Sequence, residues 1–195
     1  MPFIGIISDE NVENCIRRKI LEKLRLRESS VLFIKEKSIE NIKNIKFETI
    51  IIARKFKNKE MLKKILENAS YVVINSDIEN NLSLLEDINA TVITYGFNSK
   101  ATITASSVGE EEIMLCLQRT LRTKSKKEIE PQEIKMLVCE NASCTMAIAA
   151  TFLLYAFEDW TRIFWGHLPK ASSSIFKIQK KMKNLTFYVD KSKKI

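Results

Sequence analysis

Short apolar runs alternate with stretches of helical spacing through the first half of the chain. Phe3, Ile4, Ile6 and Ile7 form an apolar run that ends at Ser8-Asp9-Glu10. In residues 11–26, Val12, Cys15, Ile16, Ile20 and Leu24 recur at helical spacing, with Ser8 or Asp9 as the N-cap. Residues 31–34 predict a second strand and 38–44 a short helical link. Residues 48–53 predict a third strand, centred on Ile50-Ile51-Ile52. Three β-branched residues in a row call for burial on both faces, as parallel strands require. Residues 59–69 predict a helix with Met61, Leu62, Ile65 and Leu66 inward. Residues 71–75 predict a strand, 80–88 a helix and 91–95 a fifth strand.

That alternation predicts an α/β fold with a mostly parallel five-stranded sheet covered by helices, joined by right-handed crossovers. The rhythm then changes. Residues 101–108 and 112–120 alternate with period 2 around Gly109-Glu110-Glu111, the signature of an antiparallel hairpin. A charged loop follows at 124–127, and 133–139 is extended again. Residues 141–157 predict a C-terminal helix, with Ala142, Met146, Ala149, Ala150, Leu153, Leu154 and Phe157 on one broad buried face. Two parts are expected: an α/β domain at 1–157 and a basic, aromatic-containing tail at 158–195. In the tail, 171–174 reads as a linker, 185–189 as a last strand and 191–195 as a frayed end.

The formal net charge is +8, concentrated in 119–127 and 177–194. Elsewhere lysines share helix faces with glutamates, as a solvated surface does. Arg119, Arg122, Lys124, Lys126 and Lys127 lack interleaved aromatic residues for stacking, so at most weak, non-specific nucleic-acid binding is expected. In the tail, Trp160, Phe164, Trp165 and Phe176 accompany lysines, a mix suited to packing on the domain, to a partner or to a membrane surface. The four cysteines have no zinc-type spacing, and Cys116 reads as a buried thiol. His167, the one histidine, has no nucleophile in a recognisable setting and is assigned no catalysis. No run is long and apolar enough to cross a membrane, and no signal segment is expected. A reduced cytoplasmic setting follows.

Four features occur in an order that resembles the central domain of the Mur ligases, the ATP-dependent amide-forming enzymes of cell-wall precursor synthesis. Asn75-Ser76-Asp77 is similar to the first three positions of the family's Asn-x-Asp-Asp motif, with Ile78 in the fourth. Thr94-Tyr95-Gly96 matches a strand ending in an aromatic residue and glycine. An antiparallel segment at 101–120 follows, then an Ala-rich helix opening at Asn141. The resemblance spans 71–157 and implies an open sheet with a nucleotide site.

The departures are as specific. The family's phosphate-binding loop needs glycines followed by Lys and Ser or Thr. Here the first strand runs through Gly5-Ile6-Ile7-Ser8-Asp9-Glu10-Asn11, with one glycine, no lysine and two carboxylates where phosphates would sit. There is no acidic–His magnesium pattern, and too few residues follow Phe157 for the domain that closes over ATP in the family. No cofactor is expected, ATP included. The expected function is a non-catalytic Mur-ligase-like domain that binds a small ligand or a partner protein. Two alternatives are a nucleotide-handling subunit whose phosphate loop comes from another chain, and a basic module for nucleic acid or a membrane surface.

Candidate ligand residues are Asn75, Asp77, Gly96, Asn98 and Lys100, at the ends of the fourth and fifth strands. Open α/β sheets bind ligands at such ends, where Lys100 would meet an anionic group. Simpler roles compete: Asp77 as cap of the next helix, and Gly96 with Asn98 as a turn.

Overall fold

The computed structural model describes residues 3–79, 81–86 and 88–155. The tail, with its aromatic patch, His167, linker and last strand, lies outside the described residues, as does the end of the C-terminal helix at Phe157.

The parallel strands are β1 (Phe3–Ile7), β2 (Val31–Phe33), β3 (Phe47–Ile52), β4 (Tyr71–Asn75) and β5 (Thr91–Tyr95). They stand in the order β2-β1-β3-β4-β5. The sheet continues through β6 (Ile103–Val108), β7 (Glu112–Leu117) and β10 (Gln132–Leu137). β6 joins β5 by the single parallel pair Tyr95↔Ile103, while β6–β7 and β7–β10 are antiparallel. The fold is therefore α/β, with the parallel sheet and antiparallel extension that the hydrophobic pattern predicts.

The helices α1 (Glu10–Leu24), α2 (Ile39–Ile42), α3 (Lys59–Leu66) and α4 (Ala142–Leu154) cover the two faces. Ile51 and Val73 face a core shared with Ile16 and Ile20 of α1 and with α4. Ile50, Ile52, Val72 and Ile74 face a second core with Leu62, Ile65 and Leu66 of α3. All three isoleucines of β3 have 0% exposure. At roughly 1.5–3 kcal/mol per buried large aliphatic side chain, they form one of the stronger anchors of the sheet.

Two expectations need correction. Among the described residues of 80–88 there is no α-helix; a 3-10 turn at Leu82–Leu85 stands there. The local pull comes from Asn81, whose side-chain amide donates to the Asn75 carbonyl at 3.1 Å instead of staying with its own segment. Leu84 is the buried apolar residue of this turn, too little to hold a longer helix. The charged loop 124–127 stands as expected, and it closes a small hairpin that the pattern did not predict, β8 (Leu121–Arg122) with β9 (Glu128–Ile129). Finally, α4 is not one-sided: Cys144 through Leu154 are all buried. It packs on β4, β5 and β6, against α1 and against β8, and an all-round apolar helix belongs in such a place.

The far end of α4 is tied to β3. The Tyr155 hydroxyl donates to Glu48 Oε2 at 3.0 Å and lies 2.9 Å from Thr49 Oγ1. Lys124 pairs with Glu48 and sits 5.0 Å from the centre of the Tyr155 ring. Cys116, expected in the core, is half-buried. It faces away from Leu115 and Leu117 on a strand with one covered side.

A clasp at the ends of β4 and β5 as the candidate functional site

Parallel pairing of β4 with β5 sets Asn75 opposite Tyr95. The residues that follow each strand therefore leave the sheet side by side, although about twenty positions separate them in the chain. Asn75, Asp77, Gly96 and Asn98 meet there, and Lys100 stands on the same loop.

Their polar groups are largely spent on one another. Asp77 Oδ2 accepts the Phe97 N–H at 2.6 Å. Asp77 Oδ1 accepts the Asn98 N–H at 3.2 Å and the Asn98 side-chain amide at 2.9 Å. The same amide donates to Ser76 Oγ at 2.7 Å, and Asn98 Oδ1 accepts the Lys100 N–H at 3.0 Å. Ser76 Oγ donates to the Tyr95 carbonyl at 3.1 Å. Asn75 Oδ1 accepts the Asp77 N–H at 2.9 Å, and its amide donates to Ser143 Oγ in the first turn of α4 at 3.0 Å. Asp77 thus caps no following helix; its carboxylate clasps the turn after β5.

Gly96 has φ +156°, and a Cβ placed there would lie 2.5 Å from Asp77 Oδ1. The glycine is required by the close approach of the carboxylate. Outside the clasp, the loop presents Phe97, 56% exposed, and the exposed Lys100, whose carbonyl accepts Arg119 at 2.7 Å. Behind it, Tyr95 is fully buried, and its hydroxyl sits near Ser143 without a hydrogen-bond partner among the described residues. Burial pushes that phenol well above its usual range. The clasp thus leaves one aromatic ring and one cation exposed on a hydrogen-bonded loop. Ser76, Ser143 and Tyr95 also belong to the site. From sequence, only the helix expected from Asn141 pointed to the α4 terminus; in the structure the Asn141 side chain caps it, accepting the Cys144 N–H at 2.8 Å.

A second place of interest is the crevice between β1 and β3. The chain leaves β1 for β2 on one side and later returns for β3 on the other, which makes this the point where strand order reverses. Asp9 is the N-cap of α1 here, without a side-chain capping bond, and Glu10 and Glu13 lie in the first turn. Glu13 is 5% exposed. Burial raises its carboxyl above the usual range against the opposing pull of Lys35 and Arg54. At the N-terminal ends of β1 and β3, an open depression of about 650 Å³ is lined by Phe3, Ile45, Lys46, Phe47, Glu48 and Ser70. Among the described residues, no group of three His, Cys, Asp or Glu is placed to hold a metal ion, and no helix is long and apolar enough to cross a membrane.

No family model and no curated protein matches this sequence. Solved structures do match. One is a UDP-N-acetylmuramoyl-L-alanyl-D-glutamate–2,6-diaminopimelate ligase, with a TM-score of 0.57 at 7% identity. The similarity covers 88% of this chain, more than the stretch 71–157, and 47% of the ligase chain. This chain thus spans about half the length of the ligase. At this identity the likeness establishes a shared fold.

Proposed function

We propose that this chain is a non-catalytic Mur-ligase-like domain that binds a small ligand or a partner protein through the loop after β5. The acidic first turn of α1 carries the reading. Asp9, Glu10 and Glu13 stand at the exit of β1, where an open α/β sheet would receive phosphates on a helix N-terminus. Three carboxylates there repel a triphosphate, and no lysine of a phosphate cradle follows them. ATP and magnesium are accordingly not used, and the setting is cytoplasmic.

The clasp supports binding at the other end. With Asp77 and Asn98 engaged internally, recognition falls to Phe97 and Lys100, which the clasp holds out to solvent. Lys100 would meet an anionic group on the ligand or partner.

The test uses the purified full chain. Thermal unfolding is followed with MgATP, other nucleotides and UDP-N-acetylmuramoyl-L-alanyl-D-glutamate, since ligands that bind only the native state raise Tm. The expected results are no shift with MgATP and no ATP hydrolysis. A ligand that raises Tm should lose its effect in Phe97→Ala or Lys100→Ala. ATP turnover that co-purifies with the chain and is lost in Asp77→Ala would overturn the proposal.

A further inference from the structure

We propose that the free edge of β10 pairs with the same edge of a second copy of this chain, antiparallel and centred on Ile134. The product is a twofold dimer with one sheet running through both copies.

β10 ends the eight-stranded sheet among the described residues. It pairs with β7 over its whole length, from Gln132↔Leu117 to Leu137↔Glu112. One residue further on, the Val138 N–H donates to the Glu111 carbonyl at 2.8 Å. Successive residues of an antiparallel strand bond to alternate sides, so Gln132, Ile134 and Met136 also bond toward β7. Glu133, Lys135 and Leu137 turn their N–H and C=O groups outward, where the sheet has no further strand among the described residues. A regular edge of this kind is a template for another strand.

The side chains select the partner and the register. Met136 is buried in the core that α4 covers, and half-buried Ile134 packs against it. Glu133 and Lys135 are exposed on the other face. Within the chain, Glu133 Oε1 accepts the Ser106 hydroxyl at 3.3 Å, and Lys135 Nζ lies 2.6 Å from Glu112 Oε2 with its side chain still 46% exposed. An outward-facing residue exchanges hydrogen bonds only with another outward-facing one. Centred on Glu133 or on Lys135, two copies set like charges opposite each other, which destabilises a sheet. Centred on Met136, they set Lys135 against Leu137. Centred on Ile134, they set Glu133 of each copy opposite Lys135 of the other, and each such pair exchanges both of its N–H···O bonds. A lone edge lysine keeps other strands away; the glutamate two places before it turns the same charge into an attraction in this one register. Pro131 has no N–H to give and closes the ladder at its near end. The contact is one strand wide, at the small end of interface sizes, so the dimer is weak and reversible.

Sedimentation velocity of the full chain over a range of concentrations measures the association, with circular dichroism to establish that each variant is folded. Wild type should dimerise. Glu133→Lys and Lys135→Glu should each weaken the dimer at least about tenfold, because each sets like charges face to face on both sides of the axis. Mixed together, the two single variants should associate with each other, since every cross-strand pair then joins a lysine to a glutamate. The double variant should recover the wild-type dimer. A second measurement changes no charge. Ile134→Cys would put two thiols across the axis with Cα atoms about 4.5 Å apart, so diamide should link it to its own copy. Gln132→Cys, opposite Met136 of the other copy, should stay unlinked. A monomeric wild type, a dimer indifferent to the single reversals, single variants that do not associate on mixing, or Ile134→Cys that links no better than Gln132→Cys would overturn the proposal.

Discussion

Gly96→Ala puts the clasp to its sharpest test. The new methyl would lie 2.5 Å from Asp77 Oδ1 and 2.7 Å from its Cγ, on a backbone at φ +156°. Two costs follow. Holding an L-residue in that region costs roughly 1–3 kcal/mol. Displacing the carboxylate breaks three hydrogen bonds, to the Phe97 and Asn98 N–H groups and to the Asn98 amide. Asp77 is exposed, so water replaces much of what is lost and this part is about 1–2 kcal/mol. The total is about 2–5 kcal/mol, or a fall in Tm of roughly 4–20 °C for a chain of this size. Asp77→Ala alone should cost about 1–2 kcal/mol. Because the clash needs the carboxylate, the double variant should cost less than the sum of the singles, by about 1–2 kcal/mol. Urea unfolding of all four proteins, compared by midpoint at unchanged m, measures this. A Gly96→Ala cost within about 0.5 kcal/mol of zero would refute the close-approach argument, as would strict additivity with Asp77→Ala.

Glu13 gives the chain a pH signature. Burial, the largest influence, raises its pKa above 4.5 despite Lys35, Arg54 and Arg17, with Glu10 adding to the rise. The folded state therefore holds this proton more tightly than the unfolded state does. Its contribution to stability is fully present below pH 4.5 and is lost as pH rises through the folded pKa. Glu13→Gln should match wild type near pH 4 and be the more stable at pH 7; a Tm difference that does not vary with pH between 4 and 7 contradicts the burial argument. Thiol labelling checks the placement of the cysteines. Cys116 and Cys139 are half-buried, whereas Cys15 and Cys144 are buried, and burial raises the Cys139 and Cys144 thiols. Cys116 should react first with iodoacetamide, Cys139 next, and Cys15 and Cys144 only on unfolding; rapid native-state labelling of Cys144, read by mass spectrometry, would contradict the packing of α4.

The sequence by itself determined the local elements and which of them are buried. Ile50-Ile51-Ile52 and Val72-Val73-Ile74 are too apolar for a strand with one wet face, so they could stand only inside a sheet covered on both sides. Period-2 alternation around Gly109 was enough for the hairpin, and the apolar spacing over 141–157 was enough for α4, because alternation and helical periodicity are decided within a few residues. The failure at 80–88 marks the limit of local reading: the Asn81 side chain is drawn to the Asn75 carbonyl, a partner that only the folded segment supplies. The polar residues at the ends of the fourth and fifth strands were legible as a candidate group. That they bond to one another, so that Phe97 and Lys100 form the open surface, was not. Strand order and register decided it. Asp77 reaches Gly96 because β4 pairs with β5 in parallel. Such contacts join positions about twenty or more residues apart, and no local preference encodes them; they follow from how the buried faces of the strands and helices close on one another.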